Sequence, residues 1–326
     1  MSAVEHRPTI SVGRRTTINL AGFVAGERAG IEGALRAALP LSSLTGAGRL
    51  NDALDYAVFP GGKRLRPALA LLASNLAGAT RAQGLRVACA VEFLHSSSLI
   101  LDDLPAMDDA GVRRNRRSLH LVHGEGVALL ASVALLNGAY ALLAEAARDC
   151  AQPHATAALV AEAARCVGAD GMVGGQVVDL ETRAGAAHAD ALACRDLKTV
   201  ALMRLLMTAG ALACAAPADD ARALADFGDC FGRAYQICDD LLDDAGGQLT
   251  GKPARQDARH LRANAAEAFG RDGALRLAEE LVATGVARLS QQFGARYEVR
   301  LLAEAAGSVV NRAAAGLRAA AIGHVA

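Results

Sequence analysis

The sequence predicts a single all-α domain, and three observations carry that expectation. Ala and Leu, both strong helix formers, dominate a chain that is 52% hydrophobic, only 3% aromatic and without Trp. Strand-length runs of β-branched residues are scarce. Apolar stretches of helix length follow one another, cut by Pro or Gly, with no short repeat, linker or low-complexity boundary. At 326 residues the chain is long enough for a large core and near the upper size of one domain. We read residues 1–20 as a polar tail and 21–326 as the domain.

Taken in order, helical periodicity first appears over Gly26–Leu39 and stops at Pro40. A second helix covers Arg49–Val58 and breaks at Pro60-Gly61-Gly62. Pro67–Gly78 and Gln83–Asp103 read as two apolar helices, the second ended by Pro105. Leu119–Arg148 reads as one long helix, and Ala155–Thr182 as another. Ala189–Ala216 follows, then a helix from Pro217 to Asp244. Gly246–Pro253 is a loop, and Asp257–Ala326 is again helical. The central helices are apolar on most faces, as buried helices of a bundle are.

Composition removes several function classes. Lys plus Arg equals Asp plus Glu at 34 each, so there is no basic footprint for nucleic acid. The uncharged stretch Leu205–Ala218 is too short to span a bilayer, and nothing at the start resembles a signal peptide. We therefore expect no transmembrane segment and a cytoplasmic protein. The seven cysteines form no CxxC pair and read as small core residues in a reducing compartment.

The chemistry gathers in acidic and basic clusters. Asp102, Asp103, Asp108 and Asp109 lie within eight residues, just after a strongly apolar stretch. Carboxylates crowded beside apolar surface repel one another and resist desolvation, and a hard cation relieves both problems. Magnesium takes one or two carboxylates and leaves positions for phosphate oxygens. A second cluster, Asp239, Asp240 and Asp243, lies in an apolar helix, where Asp239 and Asp243 share a face. Two such clusters suggest two walls of a metal–diphosphate site. Of 34 basic residues only Lys63, Lys198 and Lys252 are lysine, which marks them for compact phosphate contacts. The run Gly61-Gly62-Lys63-Arg64-Leu65-Arg66 sets three cations before a helix start, an anion site without the spacing of a Walker loop. His95 lies two turns before Asp102 on the same helix face.

GGKRLRP, DDLPAMD, RR, KT, FGRAYQICDDLLD and GKP, in this order over roughly 50–257, resemble the trans-isoprenyl diphosphate synthase family. LDDLPAMDDA is most similar to bacterial carotenoid-type geranylgeranyl diphosphate synthases. The resemblance implies the isoprenoid synthase bundle, with a central cavity between two aspartate-rich helices. It implies magnesium held by Asp102, Asp103, Asp108, Asp239, Asp240 and Asp243. Gly62, Lys63, Arg66, His95 and Arg114 match the cradle for isopentenyl diphosphate. Arg113, Lys198, Thr199, Gln236 and Lys252 match residues that hold an allylic diphosphate (dimethylallyl, geranyl or farnesyl) and face its cation. Ser97 and Ser98, small residues just before the first aspartate, match the positions that set product length and imply geranylgeranyl diphosphate. The family's usual quaternary state implies a homodimer.

The usual Gly-x-Pro-Thr after the double Arg is replaced by Asn115, Arg116, Arg117 and Ser118, and the usual KTG reads Lys198-Thr199-Val200. Two other readings share these features: a non-catalytic subunit that pairs with an active synthase, and a class I terpene cyclase. Both acidic motifs are kept, which argues against the first; the GGKRLRP cradle argues against the second.

Overall fold

The computed structural model describes residues 18–59, 62–181, 188–244 and 265–323. The early helices are α1 (Leu20–Ala38), α2 (Gly48–Val58), α3 (Leu65–Leu76) and α4 (Arg81–Asp102). A two-stranded antiparallel ribbon follows, β1 (Val112–Arg113) and β2 (Arg116–Arg117). Next come α5 (Leu119–His123), α6 (Glu125–Arg148), α7 (Ala155–Val167), α8 (Met172–Glu181), α9 (His188–Ala213) and α10 (Ala218–Asp244). The described chain closes with α11 (Ala265–Phe269), α12 (Arg271–Phe293) and α13 (Tyr297–Gly323). The all-α expectation holds, with the ribbon as its one addition among the described residues.

Several boundaries differ from the periodicity, and three of them have a clear local reason. α1 begins six residues early because Asn19 caps it, its side chain accepting from the Gly22 amide at 2.9 Å. The Leu20 amide also donates to Glu304 at 3.0 Å, tying α1 to α13. The helix expected over Leu119–Arg148 breaks at Gly124, whose φ of 86° no helix residue adopts. The helix expected over Ala155–Thr182 breaks between Val167 and Met172, at Gly168 and Gly171.

α9 is the hub, packed on α3, α4, α7, α8 and α10. Its contact with α10 is unusually close at two glycines spaced i, i+4. A Cβ on Gly228 would lie 2.8 Å from Arg204 Cα, and one on Gly232 2.8 Å from Val200 Cα. At the far end of α9, Gln83 donates to the Ala213 carbonyl at 3.0 Å, satisfying an acceptor that the helix itself leaves unpaired. Gln83 also closes a capping box with Thr80 at the start of α4. These contacts fix α4, α9 and α10 relative to one another, and those three helices carry the acidic and cationic motifs.

Candidate active site

The first acidic cluster forms where α4 ends and the chain doubles back. The Asp108 amide donates to the Asp102 carbonyl at 3.0 Å, and the Ala110 amide to the Asp103 carbonyl at 3.2 Å. The intervening Leu104–Met107 bulge, with its Pro105, thus returns Asp108 beside Asp102 and Asp103. Asp102 and Asp103 are buried; Asp108 is half-buried. Burial raises the Asp102 carboxyl above its ordinary range, against the pull of Lys198 and with the further push of Asp108. Arg113, on β1, donates to Asp103 Oδ1 from Nε at 2.9 Å. Burial lowers its pKa, but the acidic neighbours prevail and keep it fully charged.

Adjacent residues of α9 reach the two walls. Lys198 Nζ lies 3.2 Å from Asp102 and 3.6 Å from Asp179. The next residue, Thr199, donates from Oγ1 to Gln236 Oε1 at 2.9 Å. Gln236 in turn donates to Asp240 Oδ1 at 3.0 Å. Asp240 is 1% exposed, and its Oδ2 accepts from the Ala265 amide at 2.8 Å. Of the second cluster, Asp240 therefore points into the helix packing, while Asp239 and Asp243 are half-buried one turn apart. The close Gly232–Val200 approach sits beside this relay and allows it.

A separate cationic cradle lies two turns back along α4, around His95. Arg66 Nη1 approaches His95 Nε2 at 3.4 Å, and its guanidinium lies 5.5 Å from the Tyr235 ring centroid. Arg66 Nε is buried without a partner. Packing around His95, and then the charges of Arg66, Arg114 and Arg113, hold its imidazole neutral, well below the usual histidine range. Burial lowers Arg114 as well; Glu92 opposes that, while Arg64, Arg66 and Arg113 add to it. Arg114 is thus held down by its burial and by three neighbouring guanidiniums even with Glu92 at 3.7 Å, and such a spot suits an anion. Lys63 is exposed at its rim, and Gly62 approaches Arg114, to whose Nε a Cβ there would lie 3.7 Å.

Arg64 corrects the sequence reading. Grouped there with the anion-facing cations, it is 2% exposed and structural: it donates to Glu32, to Glu92 at 2.6 Å and to the Val58 carbonyl at 2.8 Å. Lys252 lies outside the described residues. Ser97 and Ser98 lie on α4, but Ser97 is buried against α6, its Oγ 2.8 Å from Ser132 Oγ. The Ser98 hydroxyl donates to the His95 carbonyl at 2.9 Å. Sequence reasoning gave no role to Glu92, Asp179 or Tyr235. The signal for Glu92 was its place three residues before His95 in an otherwise apolar helix. Tyr235 left no signal, because periodicity does not say which polar group a ring will cover.

Among the described residues no three His, Cys, Asp or Glu side chains converge as a ready-made metal cage. The donor set nonetheless fits magnesium. Hard carboxylate oxygens are crowded at Asp102, Asp103 and Asp108, the first two of them buried, and this ion needs few protein ligands when phosphate oxygens complete its shell.

The family model described as "Polyprenyl synthetase" matches residues 47–268. Farnesyl diphosphate synthase of Geobacillus stearothermophilus is 36% identical over 230 residues, 68% of this chain and 76% of that one. The large subunit 1 of the heterodimeric geranylgeranyl pyrophosphate synthase of Arabidopsis thaliana is 37% identical over 217 residues, 64% of this chain but only 57% of that protein's length. Among solved structures, an FPP/GFPP synthase from Zymomonas mobilis superposes with a TM-score of 0.76 at 31% identity, covering 89% of this chain and 98% of its own.

Proposed function

The chain belongs to the polyprenyl synthetase family, the trans-isoprenyl diphosphate synthases, and has the fold and motifs of a prenyltransferase; from that premise we propose that it joins isopentenyl diphosphate to an allylic diphosphate and releases geranylgeranyl diphosphate. The observation that carries this reading is the pair of separate anion sites. One lies between two aspartate walls bridged by Lys198 and Thr199, the other at Arg66, His95 and Arg114. A condensation of two diphosphates needs both; a cyclase needs one.

In this reading Asp102, Asp103 and Asp108 on one wall, and Asp239 and Asp243 on the other, would hold the magnesium, while Asp240, expected beside them, instead anchors Gln236 and the Ala265 amide. When bound, that ion supplies Lewis-acid stabilisation of the departing diphosphate. Arg113 and Lys198 add fixed positive charge on the same group, at positions already set by Asp103, Asp102 and Asp179. Thr199 spends its proton on Gln236, so its oxygen lone pairs remain to face the allylic cation. Neutral His95 and charged Arg66, Arg114 and Lys63 seat the isopentenyl diphosphate. No side-chain nucleophile is required: the isopentenyl double bond attacks the allylic carbon, and a proton leaves for the departing pyrophosphate.

The twenty-carbon product is supported by the absence of a bulky side chain at Ser97 and Ser98 and by the name of the Arabidopsis relative. A homodimer is supported by an apolar outer face: Leu130 and Val133 of α6 are 63% and 59% exposed, and Val173 and Val177 of α8 also face outward. The test is incubation of purified protein with magnesium, isopentenyl diphosphate and each allylic diphosphate in turn. Phosphatase treatment should release geranylgeraniol. Absence of product with every allylic partner refutes the reading, a fifteen-carbon alcohol refutes its product, and a cyclic hydrocarbon indicates a cyclase.

A further inference from the structure

The ribbon after the first acidic motif is where the sequence leaves its family pattern, and its geometry gives the departure a purpose. Arg114 and Asn115 are the two central residues of a two-residue hairpin, with φ of 52° and 61°. Positive φ at both positions is what tight hairpins need. Asn tolerates it; an arginine there costs on the order of 1 kcal/mol. Two residues of strand on each side cannot hold such a turn unaided.

The support comes from the end of α2. Arg116 Nη1 donates to the Phe59 carbonyl at 2.9 Å, and its guanidinium lies 3.7 Å above the Tyr56 ring. Tyr56 returns a bond, donating from its hydroxyl to the Arg117 carbonyl at 2.9 Å. Phe59 stands just ahead of the glycines and Lys63 in the sequence. One side chain therefore fastens the hairpin bearing Arg114 to the backbone leading into the glycine loop.

We propose that Arg116 is a positioning residue, a latch that holds together the two halves of the isopentenyl diphosphate cradle. The inference rests on the assignment of Arg114 and Lys63 to that cradle. Asn115, Arg116 and Arg117 are then an alternative way of presenting Arg114, and the loss of Gly-x-Pro-Thr leaves the cradle intact.

The test compares wild type, Arg116→Ala and Tyr56→Phe in three measurements: calorimetric titration with isopentenyl diphosphate, KM for each substrate with kcat, and Tm. Arg116→Ala should weaken isopentenyl diphosphate about tenfold, in Kd and in KM, with kcat and the allylic KM changing far less. Tyr56→Phe, which keeps the ring beneath Arg116 and loses only the hydroxyl bond, should show the same selective change at about threefold, and it carries the test if Arg116→Ala is insoluble. Unchanged isopentenyl affinity in Arg116→Ala, or in Tyr56→Phe where Arg116→Ala is insoluble, overturns the latch. So does a parallel rise in both KM values with a lower Tm, which is the mark of a merely structural role. Wild-type protein that binds no isopentenyl diphosphate overturns the cradle reading and the latch together; wild type that binds it as tightly as Arg116→Ala does overturns the latch alone.

Discussion

Replacing Gly232 by alanine tests whether the α9–α10 approach serves the chemistry or only the packing. The new methyl would stand 2.8 Å from Val200 Cα and 3.2 Å from Met203 Cβ, both on α9. Ordinary carbon–carbon contact begins near 3.5 Å, so the helices must part locally by about 0.7 Å. Overpacking of this kind costs about 1–3 kcal/mol, offset in part by alanine's better helix propensity. The Thr199–Gln236 bond, now 2.9 Å, lies beside the clash. The same parting carries it to about 3.6 Å, beyond useful hydrogen-bond range. Thr199 then loses its orientation, and a misplacement approaching 1 Å at a reacting centre lowers kcat by about 10–100-fold. Gly228→Ala is the matched control. It makes an equally close contact, 2.8 Å from Arg204 Cα, one turn further from the relay. Both variants should lose a few degrees of Tm by calorimetry, and only Gly232→Ala should lose rate in a radiolabelled isopentenyl diphosphate assay. Equal kcat in the two variants, or a Gly232→Ala rate within twofold of wild type, refutes the reasoning.

Three further predictions concern the walls, the cradle and the floor. Asp102→Ala and Asp239→Ala should each lower turnover by orders of magnitude; near-normal rates in either, at saturating magnesium, reject the two-walled site. His95 is held neutral in the folded protein, so above pH 6.5, its ordinary value, neither state takes a proton there and stability is unaffected. Below 6.5 the unfolded chain binds a proton that the folded protein refuses, and stability falls by up to about 1.4 kcal/mol per pH unit until the folded group titrates. Denaturant unfolding at pH 7.5 and 5.5 should therefore show a larger acid loss in wild type than in His95→Gln, and equal losses contradict a neutral His95. Ser97→Tyr must displace a hydroxyl packed 2.8 Å from Ser132 Oγ, and it should shift the prenyl alcohol toward fifteen carbons on chromatography; an unchanged product puts the floor elsewhere.

Much of this site was legible because its chemistry forces unusual residue placement. Asp239 and Asp243 in an apolar helix are costly unless something requires them, and lysine among so many arginines marked Lys198. The all-α fold followed from Ala- and Leu-rich periodicity for the same reason: little else can be built from it. What stayed hidden depends on which groups meet across helices. Arg64 looked like one more cation of a basic turn, and only the buried Glu92 and the half-buried Glu32 opposite it show otherwise. Nothing in the sequence gave Asp179 a role, yet it shares Lys198 with Asp102. The breaks at Gly124 and at Gly168–Gly171 were invisible because an isolated glycine inside apolar periodicity is compatible with an unbroken helix. The ribbon could not be foreseen, since four arginines and an asparagine show no strand alternation.

The adjacency of Lys198 and Thr199 has a consequence for how this chain can vary in length. One residue of an α-helix turns about 100° and rises about 1.5 Å. A single insertion or deletion within α9 before Lys198, propagated along the helix, would swing the ammonium away from Asp102 and the hydroxyl away from Gln236 at once. The middle of α9 thus acts as a gauge with no tolerance for miscounting, and natural length differences between such chains should collect in the connections between helices.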